Sequence, residues 1–354
     1  MGKTCRYIVY GFILLLSVTV LSCKKQKTTE KEAFSGEPSQ AAPISIGFSI
    51  DTLAIERWIR DCDVFLNTAK ELGADVIVQN SGNSVEEQNR QIQYLINRNV
   101  DVIVIVAKKD DSLTESVQKA RSHGIPVISY DRLIRNADIS LYLTVDTEKV
   151  GEYMAKELYK VKPYGNWFCI LGPQEDYNTT FIQTGVNKVL TNTPVKITLT
   201  SYTADWNYDL SYQKMHEELE KGNIPDAVIC GNDALADSVV QAISEICPGR
   251  NIPVCGQDAD IAACQNIVEG KQVLTVYKPI TELAERAAHI AYQLASGKTV
   301  REVVPDGKTM NNGYADIPVI LLDPVPVTIK NIDKIVIDSG FHTYGEVYKN
   351  RVAP

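Results

Sequence analysis

From Ile44 onward the chain alternates short apolar runs with longer amphipathic ones. Ile44–Ile50 (ISIGFSI), Asp75–Gln79 (DVIVQ), Asp101–Val106 (DVIVIV), Ile125–Tyr130 (IPVISY) and Leu141–Val145 predict strands. Between them, Arg57–Leu72 sets Trp58, Phe65, Ala69 and Leu72 at helical spacing, and Val85–Arg98 does the same with Ile92, Leu95 and Ile96. Asp111–His123 predicts a further helix, closed by Gly124. The run DVIVIV is apolar without alternation, which marks a strand covered on both faces. After a helix-free break at Arg135–Leu141 the rhythm resumes. Strands are predicted at Trp167–Leu171, Val195–Tyr202, Ala227–Cys230, Pro253–Cys255 and Val273–Val276. Helices are predicted at Glu148–Val161, Thr180–Leu190, Tyr208–Lys221, Ala234–Ile246 and Ile280–Ala295. Past Asn311 only extended segments stand out, such as Pro318–Leu322 and Lys334–Ile337.

Strands alternating with helices at this pitch imply parallel sheets with helices on both faces, joined by right-handed crossovers. A single ten-stranded sheet is strained, so two sheets in two lobes fit better. The break at Arg135–Leu141 is a candidate change of lobe.

Ahead of Ile44 the pattern differs. Lys3 and Arg6 precede an apolar run from Tyr7 to Leu21, shorter than the roughly 20 residues that span a bilayer. Val20-Leu21-Ser22-Cys23 resembles a bacterial lipobox. Residues 1–23 thus read as an export leader ending at a lipid attachment site, Cys23. The alternatives are an ordinary cleaved leader or a retained anchor. Residues 24–43 are rich in Lys, Glu, Ser, Gly and Pro, with Phe34 the only large apolar side chain. Such a stretch does not bury enough surface to offset its ordering entropy, and it reads as a flexible tether.

With 44% hydrophobic and 23% charged residues, the body is globular in composition. From residue 44 on it carries 30 basic and 41 acidic side chains, a formal charge of −11. Phosphate binding needs clustered Lys and Arg, so nucleic acid is a poor partner. The six body cysteines, Cys62, Cys169, Cys230, Cys247, Cys255 and Cys264, include no CxxC pair. Cys169, Cys230 and Cys255 read as buried free thiols, although an exported protein can oxidise a pair. The chain lacks GxxxxGK[ST], GxGxxG, GxSxG and HExxH motifs. His123, His216, His289 and His342 belong to no Cys/His cluster of metal-ligand spacing, and all four read as surface residues. No metal or cofactor is expected.

Polar and aromatic residues gather just past the carboxyl ends of the predicted strands, where open α/β sheets bind ligands. They include Asp51, Glu56, Arg57 and Trp58 after the first strand, then Asp131 and Arg132, then Asp176 and Asn178. Further along come Asp205 and Trp206, Asn232 and Asp233, Gln257, Asp258 and Asp260, and Lys278. Asp233 also reads as an N-cap. The mixture suits a neutral polyhydroxyl ligand. Carboxylates accept from hydroxyls, Arg and Lys donate to them, and Asn does both. Indole rings cover the apolar C–H face of a sugar, so Trp58 and Trp206 are candidates to sandwich it.

The stretches LAIERW (Leu53–Trp58), NRNVDVIV (Asn97–Val104), YDR (Tyr130–Arg132), NADI (Asn136–Ile139), EKVG (Glu148–Gly151), GQDAD (Gly256–Asp260), TVYKPIT (Thr275–Thr281), NNG (Asn311–Gly313) and GFH (Gly340–His342) carry a resemblance. Over nearly the whole body the chain resembles the periplasmic sugar-binding proteins of bacterial uptake transporters, in the ribose/galactose group. GQDAD together with TVYKPIT is similar to the xylose-type branch. The resemblance implies an α/β fold of the periplasmic-binding-protein type I, with two Rossmann-like lobes and a three-segment hinge. The lobes would be 44–145 with 279–310, and 146–278 with 311–354, crossing near Thr144–Asp146, Tyr277–Lys278 and Asn311. It places sugar contacts on Arg57, Arg132, Asn178, Trp206, Asn232, Asp258 and Lys278, with Asp131 and Trp58 as additions. It implies a monomer that takes a monosaccharide, serves an ABC permease and does no chemistry. The lipobox departs from freely diffusing relatives and suggests an exported protein tethered to a bacterial membrane, facing the periplasm or the cell exterior. Tyr177 also departs from the pattern, and its bulk is expected to narrow or redirect the pocket. Three rival readings remain at this stage. One is a sensor that presents its closed form to a membrane kinase or chemoreceptor. Another is the effector half of a repressor, disfavoured because residues 1–43 offer no helix-turn-helix. The last is a glycoside hydrolase using Asp131 and Asp258, disfavoured because Arg132, Lys278 and Asn232 beside them suit holding hydroxyls.

Overall fold

The computed structural model describes residues 43–305 and 307–350. The expected leader, Cys23 and the tether through residue 42 lie outside the described residues, as do residues 351–354. In chain order the elements begin β1 (Ser45–Ile50), α1 (Glu56–Glu71), β2 (Asp75–Asn80), α2 (Val85–Asn97), β3 (Val102–Val106), α3 (Thr114–Ser122), β4 (Val127–Tyr130) and β5 (Leu141–Val145). They continue with α4 (Thr147–Val161), β6 (Gly165–Leu171), α5 (Tyr177–Leu190), β7 (Val195–Tyr202), α6 (Tyr208–Glu220), β8 (Ala227–Cys230), α7 (Asp233–Ile246), β9 (Val254–Gln257), α8 (Ile261–Val268) and β10 (Leu274–Tyr277). The last are α9 (Ile280–Ala295), α10 (Val300–Val303), β11 (Thr309–Asn311), β12 (Asp316–Leu322), β13 (Val325–Thr328) and α11 (Tyr344–Val347).

Two sheets result. The first runs β11-β12-β5-β4-β3-β1-β2 and the second β13-β10-β9-β8-β6-β7. Both are parallel except at one edge, where β11 pairs with β12 and β13 with β10 in antiparallel fashion. The unbroken apolar run of β3 is explained by its two cores. Val102, Val104 and Val106 enter one cluster, while Ile103 and Ile105 enter another on the opposite face. In the second sheet β6 does the same, with Trp167 and Cys169 on one face and Phe168 and Ile170 on the other. All six body cysteines are free thiols.

The chain passes between the sheets three times: after β5, between β10 and α9, and between β12 and β13. Helix α9 returns to pack on α1, β1 and β3 of the first lobe. The third passage differs from the expectation at Asn311. β12 lies parallel to β5, with Val319 opposite Tyr142 and Leu322 opposite Val145, so residues 311–322 belong to the first sheet. Only from Val325 does the tail join the second. The helix-free break at Arg135–Leu141 is not a change of lobe either, because β4 and β5 are neighbours in one sheet. The segment Lys334–Ile337 is not extended: Asp333–Ile337 is a π-helical turn that buries Val336 against α8 and α11 residues. Its β-branched run Ile335-Val336-Ile337 reads as a strand when taken alone.

Helix N-termini bring side chains to the space between the sheets. Asp146, Asp176 and Asn232 cap α4, α5 and α7 by accepting from Lys149 N, Asn178 N and Leu235 N at 3.1, 3.0 and 3.0 Å. Helices α4 and α5 cross closely because Gly151 and Gly185 sit at the contact. A Cβ on Gly151 would lie 2.1 Å from the Ile182 carbonyl oxygen, and one on Gly185 2.0 Å from that of Glu148. The crossing carries the first turn of α5, with Asn178, against Thr147 at the start of α4.

Candidate binding site

The nine residues singled out from the sequence, Arg57, Trp58, Asp131, Arg132, Asn178, Trp206, Asn232, Asp258 and Lys278, line one cavity between the two sheets. Ile55, Asp176 and Gln257 complete it. The space free of atoms between these side chains, open solvent included, is about 320 Å³. Every lining residue lies at or just beyond the carboxyl end of a strand, or at the start of the helix that follows.

The first lobe contributes two buried guanidinium groups in a web of carboxylates. Arg57 Nη2 meets Asp131 at 2.8 Å, Nε meets Asp61 at 3.3 Å, and Nη1 meets Asp258 across the cleft at 3.6 Å. Arg132 meets Asp51 within its own lobe and Asp176 of the other lobe at 2.8 Å. Burial opposes the charge on both arginines, but Asp131, Asp61 and Asp258 around Arg57, and Asp51 and Asp176 around Arg132, raise their pKa values. Burial likewise works against an ionised Asp131, yet Arg57, Lys278 and Arg132 together hold its carboxyl below the usual range. Asp131 has φ 61°, and its carbonyl accepts from Tyr142 and Thr144, both at 2.9 Å, which fixes the turn.

The second lobe answers with groups set by backbone. Asn178 Nδ2 donates to Asp131 Oδ1 at 3.0 Å. Lys278, on the second passage between lobes, meets Asp258 at 3.0 Å. Asp205, Trp206, Asp258 and Ala259 all have positive φ, at 56°, 57°, 101° and 56°. The indole of Trp206 lies in a slot made by glycines. A Cβ on Gly172 would fall 2.4 Å from the ring, and one on Gly231 3.0 Å from it. Its Nε1 donates to Asp176 at 3.0 Å. Trp58, from the other side, is stacked under guanidinium groups, with Arg57 4.2 Å and Arg132 5.5 Å from the ring centroid. It also belongs to the core of its lobe.

Several candidates have other places. Asp51 and Asp176 hold Arg132. Asp205 reaches across the cleft to Lys108. Asp233 is not the N-cap of α7; Asn232 is, and Asp233 is buried, accepting from Thr275, Gln272 and the Asp260 amide. Tyr177 does not enter the cavity. Its ring packs on Phe181 with Arg135 4.8 Å above it, so the expected narrowing does not occur. His342 is not on the surface: it is 6% exposed, with Nε2 2.8 Å from the Ala259 carbonyl. Gln257 stands in the strand-end set but not among the sugar contacts that the resemblance implies. Its Nε2 donates to the Gly231 carbonyl at 2.7 Å, and its Oε1 is buried in the cavity wall without a partner. Outside the cavity, and sharing Ile55, Trp206 and Asn232 with it, is a wider mouth lined by Glu56, Asp205, Asp209, Asp233, Asp237 and Asp260.

Two parallel-sheet lobes, crossed three times by the chain and enclosing a polar cavity at their carboxyl edges, define a two-lobed binding protein. The periplasmic binding protein domain matches residues 46–299, and the chain belongs to that family. It is 41% identical over 311 residues to the D-xylose-binding periplasmic protein of Haemophilus influenzae, covering 86% of this chain and 92% of that one. The D-xylose-binding periplasmic protein of Escherichia coli is 39% identical, over 87% of this chain and 94% of that one. Among solved structures, an ABC transporter solute-binding protein from Clostridium phytofermentans with bound β-D-glucose superimposes with a TM-score of 0.80. It has 28% identity and covers 86% of this chain and 99% of that one. The family is one of proteins exported to the periplasm, and these relatives are sugar-binding proteins. No helix among the described residues is long and apolar enough to cross a membrane.

Proposed function

We propose that this chain captures one neutral monosaccharide, D-xylose first, between its lobes and delivers it to an ABC sugar importer while held to the membrane by a lipid on Cys23. The charge balance of the cavity carries the reading. Arg57, Arg132 and Lys278 face Asp131, Asp176 and Asp258, and each cation already meets a carboxylate. An anionic ligand would leave one of those carboxylates buried without its partner, and a cationic ligand would displace a cation. A sugar hydroxyl adds donors and acceptors without disturbing the balance. Similarity to two D-xylose-binding proteins supports the choice of pentose.

In this reading Trp58 and Trp206 cover the apolar faces of the sugar ring. Arg57, Arg132 and Lys278 donate to its hydroxyls, Asp131 and Asp258 accept, and Asn178, Asn232 and Gln257 do both. Contacts from both lobes favour the closed arrangement, so sugar shifts the protein toward it. The protein does no chemistry and acts as a monomer. A thermal-shift screen across pentoses and hexoses tests the ligand class. D-xylose at 100 times Kd should stabilise the fold by about 2.7 kcal/mol, and a flat response to every monosaccharide would refute the reading. The anchor is tested separately: acyl label should enter the wild type and be lost in Cys23→Ser.

A further inference from the structure

The turn that presents Asp258 is strained and is held from outside the cavity. Asp258 and Ala259 both have positive φ, 101° and 56°, a region that non-glycine residues enter only when their surroundings impose it. Four bonds impose it here. Asp258 N donates to the Val276 carbonyl at 3.0 Å, Ala259 N donates to Thr275 Oγ1 at 3.0 Å, and the Ala259 carbonyl accepts from His342 Nε2 at 2.8 Å and from the weaker donor Cys264 Sγ at 3.5 Å. The first two come from the adjoining strand. The third comes from the tail, more than eighty residues away, and its donor is buried. Burial, reinforced by Arg60, holds the imidazole pKa below its ordinary value despite the bond to the Ala259 carbonyl and the nearby Glu56 and Glu346. The next residue back ties the tail to the other lobe. Arg60 on α1 donates to the Phe341 carbonyl at 2.7 Å and lies 4.0 Å over its ring, while Phe341 packs edge-on against Tyr277 with centroids 5.0 Å apart.

We propose that the Phe341–His342 dipeptide is a positioning strap that holds the Asp258–Ala259 turn of the second lobe and, through Arg60, fastens it to the first, so that seating Asp258 and closing the cleft are one event. The strap rests on the reading that Asp258 meets the sugar. It reaches the sugar only through that turn. With alanine at 259 the turn leans in part on His342, and glycine there would remove that part, because glycine adopts positive φ without steric cost.

Calorimetric titration of the whole protein with D-xylose tests this. His342→Ala should weaken binding roughly tenfold, the loss of one buried hydrogen bond. His342→Gln, which can still donate to the Ala259 carbonyl, should stay within about threefold of wild type. Adding Ala259→Gly to His342→Ala should recover most of the lost affinity, a rescue that a general loss of packing would not show. Arg60→Ala should weaken binding and speed sugar release without changing the turn. Wild type that binds xylose beside a His342→Ala variant of equal affinity would overturn the strap alone. So would a variant whose loss Ala259→Gly leaves in place. Wild type that binds no monosaccharide would overturn the functional reading, and the strap with it.

Discussion

The two halves of the cavity are held in place by different physics. The first lobe fixes Arg57, Asp131 and Arg132 by charge: each guanidinium is buried among two or three carboxylates, with Asp51 and Asp61 behind them in the same lobe. The second lobe fixes Trp206 and Asp258 by backbone, through four non-glycine residues at positive φ and a glycine slot behind the indole. Removing a charge from the first half leaves its partners buried and unmatched, whether or not sugar is bound. Altering a side chain in the second half leaves the backbone that carries it in place. The lesson is that a change in the first half costs the stability of its lobe as well as affinity, whereas a change in the second costs affinity alone.

The largest effect that sharpens this contrast is Arg57→Ala. It leaves Asp61 and Asp131 buried without their cation, while Asp258 keeps Lys278, and urea denaturation without sugar should show a loss of about 3–5 kcal/mol. Arg57→Lys should recover only part, since a single ammonium does not reach three carboxylates as the planar fork does. Next comes Arg132→Ala, which should cost about 2–4 kcal/mol of D-xylose binding by calorimetry, roughly 30- to 1,000-fold. Unchanged affinity would remove Arg132 from the site. Trp206→Phe keeps an aromatic face in the glycine slot but loses the bond to Asp176. A loss of about 1 kcal/mol in binding, with an almost unchanged urea midpoint, is expected. If it unfolded the protein as Arg57→Ala should, the contrast between lobes would be broken.

The smallest effect concerns pH. The imidazole of His342 has a folded pKa below its unfolded value of about 6.5. The unfolded chain therefore binds the proton more readily. The stability this group contributes is complete above the unfolded pKa and falls as pH drops from there through the folded value. Urea midpoints taken at pH 7.5 and pH 5.5 should fall less in His342→Gln than in wild type. Equal falls would mean that His342 does not titrate as its burial implies.

Much of this was legible in the sequence because of one rule. Polar and aromatic residues placed just after apolar strands converge on one edge in a parallel sheet; eleven of the sixteen named that way line the cavity, among them the nine that the resemblance also implied, while Asp51, Glu56, Asp205, Asp233 and Asp260 lie outside it. What was not legible depends on long-range packing. Gly172 and Gly231 look like ordinary turn glycines until the indole of Trp206 is seen between them. Asp176 looks like an N-cap, which it is, but its second oxygen also holds Trp206 and Arg132. The side of the hinge on which Pro318–Leu322 falls is decided by pairing with β5, a partner about 175 residues earlier, and local pattern carries no trace of it. His342 lies in a polar tail whose burial comes only from the elements it folds over.

The central claim is that a neutral sugar completes an already balanced set of charges. Calorimetric titration of the wild type with D-xylose beside D-glucuronate, which keeps the xylose ring and adds a carboxylate at C5, and D-glucose, which adds a neutral CH2OH there, tests it most directly. The account predicts one xylose bound per chain, weaker binding of glucose and no measurable heat with glucuronate. Glucuronate binding as tightly as xylose would contradict it.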